Sequence, residues 1–177
     1  EVEHDGRERS ICMKNIYDCY TLRNGLKIPC MAYGTYKAAE GKSADIIGDA
    51  IKAGYRYFDT ASFYGTEEYL AEAILKSQIP RKEFFIATKL WKDEMGYENA
   101  KTACKKSLER LKTDYIDMYL IHWPLPEPGY KEWRQLDQET WKALEELYEE
   151  GLVKSIGLSN FLPHHIENIL KVCRIAP

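Results

Sequence analysis

Four titratable side chains, Asp59, Tyr64, Lys89 and His122, stand at matching places along the sequence. Asp59, Lys89 and His122 each close, or follow by one residue, a short apolar run: Tyr57-Phe58, Phe84 to Thr88, and Tyr119-Leu120-Ile121. Tyr64 lies five residues past Asp59, on a turn into a helix that begins near Glu67. If the three runs are neighbouring parallel strands, their ends meet, and the three residues are expected at one height with Tyr64 beside them. A free tyrosine, with a pKa of about 10, is a poor acid at neutral pH. A lysine ammonium close by stabilises the phenolate and lowers that pKa. Asp59 would keep Lys89 charged and oriented, and His122 would hold a substrate oxygen. A tyrosine tuned in this way gives a proton to an oxygen that is gaining negative charge. The electrons must come from elsewhere, which points to hydride from a nicotinamide cofactor. Taken singly, each residue has a plainer role: a helix cap, a solvated lysine, a packed loop histidine, one of thirteen tyrosines. Their joint placement carries the reading.

The elements that position them alternate along the chain. Residues 1–19 form a lead-in segment. Tyr20 to Pro29 reads as a hairpin around Asn24-Gly25, with positive φ expected at both turn residues and Pro29 shortening the second arm. Strands follow at Met31–Tyr36, Arg56–Thr60, Phe84–Leu90, Tyr115–Ile121 and Val153–Leu158. Between them come a helix capped by Ser43, with Ile46, Ile47, Ala50 and Ile51 inward, and helices from about Glu67 to Lys76 and Tyr97 to Leu111. A Pro-rich loop over 124–129 leads to a helix from about Leu136 to Glu150, and Pro163 opens a last helix through Val172. Five βα units in succession, with apolar strands and amphipathic helices, imply a parallel sheet covered by helices. No Gly-x-Gly-x-x-Gly follows any strand, and the polar residues gather at strand C-termini. Both features favour a (β/α)8 barrel over an open doubly wound sheet.

Composition removes other classes. The chain has 177 residues, 45% of them hydrophobic and 30% charged, with a net charge of −3. There is no basic footprint for nucleic acid, and no apolar run near the ~20 residues of a membrane span. The five cysteines are scattered without a Cys-x-x-Cys pair, which favours free thiols in a reducing, cytoplasmic setting. No metal is expected: a zinc site using His164 and His165 has no supporting ligand spacing. A Schiff-base enzyme with Lys89 as nucleophile is the competing chemistry.

Longer motifs sharpen the reading. Gly54-Tyr55-Arg56-Tyr57-Phe58-Asp59-Thr60-Ala61 with Tyr64-Gly65-x-Glu67, Thr88-Lys89-Leu90-Trp91, Leu108-x-Arg110-Leu111 with Asp114 to Pro124, and Ile156-Gly157-Leu158-Ser159-Asn160-Phe161 occur in order across residues 20–177. Together they resemble the aldo-keto reductases. The resemblance implies an α/β fold, a (β/α)8 TIM barrel with an N-terminal hairpin, and reduction of aldehydes or ketones with NADP(H), or else NAD(H). By it Tyr64 matches the general acid, Lys89 the group that tunes it, Asp59 the lysine's partner and a cofactor contact, and His122 the residue that orients substrate. Gly34, Thr35 and Tyr36 match a loop near the nicotinamide ribose, and Ser159 and Asn160 the pair that holds the carboxamide. Trp91 and Trp123 resemble walls of the substrate pocket. Two departures stand out. Ala71 replaces a usual glycine. A full barrel needs about 250 residues, so the 177 present are expected to supply five of eight βα units. Such an incomplete barrel would expose sheet edges open to self-association. The alternative to a reductase is therefore an inactive fragment or a binding subunit.

Overall fold

The computed structural model describes residues 14–38, 43–125 and 131–177. Most of the lead-in, the side chain of Ser43 and most of the Pro-rich loop lie outside the described residues. The chain begins with an antiparallel hairpin, β1 (Cys19–Thr21) with β2 (Lys27–Pro29). Its turn differs from the expected two-residue form. Leu22 N–H donates to Leu26 O and Gly25 N–H to Leu22 O, both at 2.8 Å, so three residues make the loop. Only Gly25 takes positive φ, at 85°. Asn24 instead uses its side chain, accepting Leu26 N–H at 3.1 Å.

Five parallel strands then pair in sequence order: β3 (Ala32–Gly34), β4 (Tyr57–Asp59), β5 (Phe85–Leu90), β6 (Met118–Ile121) and β7 (Ile156–Leu158). The helices between and after them are α1 (Ser43–Lys52), α2 (Glu67–Ser77), α3 (Tyr97–Leu111), α4 (Trp133–Glu149) and α5 (Pro163–Leu170). Each helix packs on the next, forming one layer. A doubly wound sheet reverses its strand order at a switch point. This sheet never reverses, so it winds one way, as five strands of a β/α barrel wind.

The core lies between sheet and helices. Trp141, Tyr119, Phe58, Leu144 and Ile86 are fully buried in it. β5, paired on both sides, is buried throughout, whereas β6 alternates: Tyr119 and Ile121 face the helices, and Met118 and Leu120 are half-buried on the concave side. On α1 the buried stripe is narrower than expected, because Ile46 is exposed while Ile47, Ala50 and Ile51 are buried. α4 begins three residues before Leu136, and α5 stops at Leu170 instead of Val172. The strand expected over Tyr115–Ile121 is interrupted at Asp117. Ile116 keeps only an isolated bridge to Val153, and the Asp117 carboxylate accepts Ile86 N–H at 3.0 Å and Arg81 at 2.7 Å.

The three strand-end residues do not share a register level. Asp59 pairs with Ala87, two residues before Lys89, and Lys89 pairs with Leu120, two residues before His122. Tilted strands need such a stagger to bring their ends to one rim. The hairpin sits at the opposite end, where Asn24 donates to Lys154 O at 2.9 Å. Among the described residues no helix is long and apolar enough to cross a membrane.

Candidate active site

The loop after β4 carries Tyr64 and is held at both ends. Tyr64 closes a one-turn helix, its N–H bonded to Ala61 O at 3.0 Å. Gly65, at φ 64°, then reverses the chain into α2, a conformation that costs glycine little. The buried Thr66 hydroxyl is within hydrogen-bonding distance of Thr35 (2.8 Å) and Thr60 (3.0 Å). Glu67, 1% exposed, accepts Thr88 Oγ1 and Arg110 Nε, each at 2.6 Å, and so fixes α2 to β5 and α3.

Lys89 is 5% exposed, and its Nζ donates to Asp59 Oδ1 at 2.5 Å and to Thr60 O at 2.9 Å. The same ammonium stands 5.2 Å from the centre of the Tyr64 ring. Tyr64 Oη and His122 Nε2 are 3.4 Å apart. Asn160, just past β7 at φ 63°, donates to His122 O at 2.8 Å and to Ser159 Oγ at 3.0 Å. Ser159 N–H in turn bonds to Ile121 O at 2.9 Å. All four residues first singled out for chemistry therefore meet at one rim, with Ser159 and Asn160 beside them.

The aromatic residues form a wall. Tyr36, just over half exposed, lies 4.9 Å from the Tyr64 ring, and Trp91 meets the His122 ring edge-on at 5.0 Å. Trp123 is 41% exposed at the same mouth. Gly34 has open space where a Cβ would point. Thr35 is different: it is fully buried, with its hydroxyl directed to Thr66 and to Asp59 O. Two residues that the sequence reading passed over complete the wall. Phe63 stacks on Trp91 at 4.0 Å and 17°. Glu94 Oε2 accepts Ser62 Oγ at 2.6 Å and Trp91 N–H at 2.7 Å, joining the loops after β4 and β5. The Trp91-x-x-Glu94 spacing, an acid returning to a backbone N–H three residues earlier, is the signal that marks it.

The electrostatics correct one expectation. Tyr64 is held above, not below, its ordinary pKa: burial is the main cause, and the charges of Asp59 and then Tyr36 add to it. The positive charge of Lys89 is answered by Asp59 at 2.5 Å, so the phenol feels an ion pair and not a lone cation. His122 is pushed down to about 4, first by burial and then by Lys89. At neutral pH the rim thus holds a protonated phenol beside a neutral imidazole. The imidazole's Nδ1 is buried and has no hydrogen-bond partner among the described residues. Among the described residues no group of three or more His, Cys, Asp or Glu is placed to hold a metal ion, and the four described cysteines are free thiols.

The family model for the aldo/keto reductase family matches residues 30–176. The chain belongs to this family. It is 43% identical to a 9,11-endoperoxide prostaglandin H2 reductase of Trypanosoma cruzi over 162 residues, covering 91% of this chain and 54% of that protein. It is also 43% identical to a glyoxal reductase of Bacillus subtilis, covering 92% of this chain and 56% of that one. An aldo/keto reductase from Brucella melitensis superposes with a TM-score of 0.83 at 42% identity, over 91% of this chain and 60% of that structure. The Bombyx mori aldo-keto reductase, solved in complex with NADP, superposes with a TM-score of 0.79 at 35% identity, over 90% of this chain and 56% of that one. The chain thus spans a little over half the length of these aldo/keto reductases, and its five-stranded sheet is the matching part of their barrel.

Proposed function

We propose that the protein reduces small aldehydes or ketones to alcohols with a reduced nicotinamide cofactor, NADPH or NADH, and that Tyr64 supplies the proton. The observation that carries this is the pairing of Tyr64 Oη with His122 Nε2 at 3.4 Å, beside a lysine fixed by Asp59. A carbonyl oxygen accepting from both groups is held where it can be protonated. The phenol keeps its proton at working pH because it is buried. As the oxygen gains negative charge and takes that proton, the phenolate that forms lies beside the Lys89–Asp59 ion pair. His122, neutral, orients the oxygen without competing as the acid.

The rim's residues fit a nicotinamide. Ser159 offers a hydroxyl, and Asn160, whose amide N–H groups are engaged, offers an amide oxygen, as a carboxamide requires. Asp59 and the open space over Gly34 suit the adjoining ribose. When bound, the cofactor supplies the hydride. The Schiff-base alternative is disfavoured, because Lys89 Nζ donates to two acceptors and turns no lone pair to the rim. The test is turnover of glyoxal by the intact protein, followed as loss of reduced-nicotinamide absorbance, in wild type and Tyr64→Phe. The variant is expected to lose at least about a hundredfold in kcat while binding NADPH as before. Unchanged turnover removes Tyr64 from the proton-donor role.

A further inference from the structure

Lys92 occupies the first position of the short helical turn that follows Trp91. Its Nζ lies 5.3 Å from the Trp91 ring centre and 5.7 Å from that of Trp123. One ammonium therefore bridges the two indole walls of the mouth, and Trp91 itself touches His122 at 5.0 Å. We propose that Lys92 makes this site selective for carbonyl substrates that carry a carboxylate, a reading that rests on the reductase assignment above.

Charge accounting at the rim supports this. Lys89 is neutralised by Asp59, whereas Lys92 forms no ion pair with any carboxylate of the described residues. The nearby Glu94 turns inward to Ser62 and to the Trp91 backbone. The positive field of Lys92 reaches the reacting end of the pocket, where it is among the charges that hold His122 neutral. Ring faces stabilise a cation, but they offer no acceptor for its three N–H donors. A substrate carboxylate supplies those acceptors and keeps the ammonium against the indoles. The carbonyl end of the same molecule then lies toward Tyr64 and His122. A lysine that merely packs on tryptophan would give no such preference.

The experiment uses the intact protein and compares 4-carboxybenzaldehyde with its uncharged methyl ester, with glyoxal as a small neutral reference. Wild type is expected to favour the acid over the ester by about tenfold in kcat/KM, the worth of one charge-assisted hydrogen bond. Lys92→Met, which keeps a side chain able to pack on the indoles, is expected to bring that ratio to about one, mainly by raising KM for the acid. Lys92→Arg is expected to retain the preference, and added salt to weaken it in wild type. Equal use of acid and ester by wild type, or a preference that survives Lys92→Met, overturns the inference. Glyoxal turnover without turnover of the acid overturns it too, leaving the reductase reading in place. No turnover of any of the three removes both.

Discussion

At the scale of single residues, the site works through opposed environments. Burial keeps the Tyr64 phenol protonated and the His122 imidazole neutral, while Lys89 is held in an ion pair with Asp59. Holding His122 neutral has a consequence for folding. Its folded pKa of about 4 lies below its ordinary 6.5, so between those values the unfolded chain binds more protons. Stability from this residue is then fully present above pH 6.5 and is lost as pH falls toward 4. Asp137 acts in the opposite sense. Burial pushes it up to about 7, against the lowering effect of the Leu125 N–H, so its contribution is lost as pH rises toward 7. The comparison must therefore be made between variants. The urea midpoint of wild type minus that of His122→Gln is expected to be larger at pH 7 than at pH 5; a constant difference means His122 is not held neutral by the fold. Asp59, Lys89 and His122 were legible because each follows an apolar run, and Tyr64 because it follows Asp59 closely. Phe63 and Lys92 were not, since no periodicity in a short loop tells which way a side chain turns, and Glu94 is marked only by its spacing from Trp91.

At the scale of elements, the Tyr64 loop is only as fixed as the start of α2, and that start depends on Glu67. Its buried carboxylate bridges three elements, through Thr88 on β5 and Arg110 on α3. Glu67→Gln keeps an acceptor but removes the charge, leaving Arg110 without its partner. The expected cost is about 2 kcal/mol, or roughly 4–8 °C in thermal midpoint for a chain of this size. Glu68→Gln, one residue along and exposed, is expected to stay within about 0.5 kcal/mol. Equal midpoints for the two variants would show that the bridge adds nothing. The order and type of the elements were legible from periodicity. The break in the fourth βα unit's strand was not: Asp117 replaces a strand bond with side-chain bonds to Ile86 and Arg81, and hydrophobic patterning is blind to that exchange.

At the scale of the whole molecule, the repeated βα pattern carried the parallel sheet with its strand ends on one side, and the missing Gly-x-Gly-x-x-Gly turned the reading from an open, reversing sheet to one that winds one way. What closes the far end was not legible. The hairpin reads as a local turn, yet its Asn24 side chain serves two ends of the chain at once. Oδ1 accepts Leu26 N–H within the turn at 3.1 Å, and Nδ2 donates at 2.9 Å to Lys154 O, 130 residues away and just before β7. Arg23 reaches Ala176 O beside it. A side chain bonded to a distant carbonyl leaves no periodic mark in sequence. The two halves of the Asn24 role separate by substitution. Asn24→Ala loses both bonds, whereas Asn24→Asp keeps the acceptor for Leu26 and loses the donor to Lys154. If the hairpin clamps the fifth strand, Asn24→Asp is expected to cost about 1 kcal/mol, roughly 2–4 °C in thermal midpoint, and Asn24→Ala somewhat more. A midpoint that falls in Asn24→Ala but holds in Asn24→Asp assigns the whole effect to the turn, and the contact with Lys154 then contributes nothing to holding the hairpin against the fifth strand of the sheet.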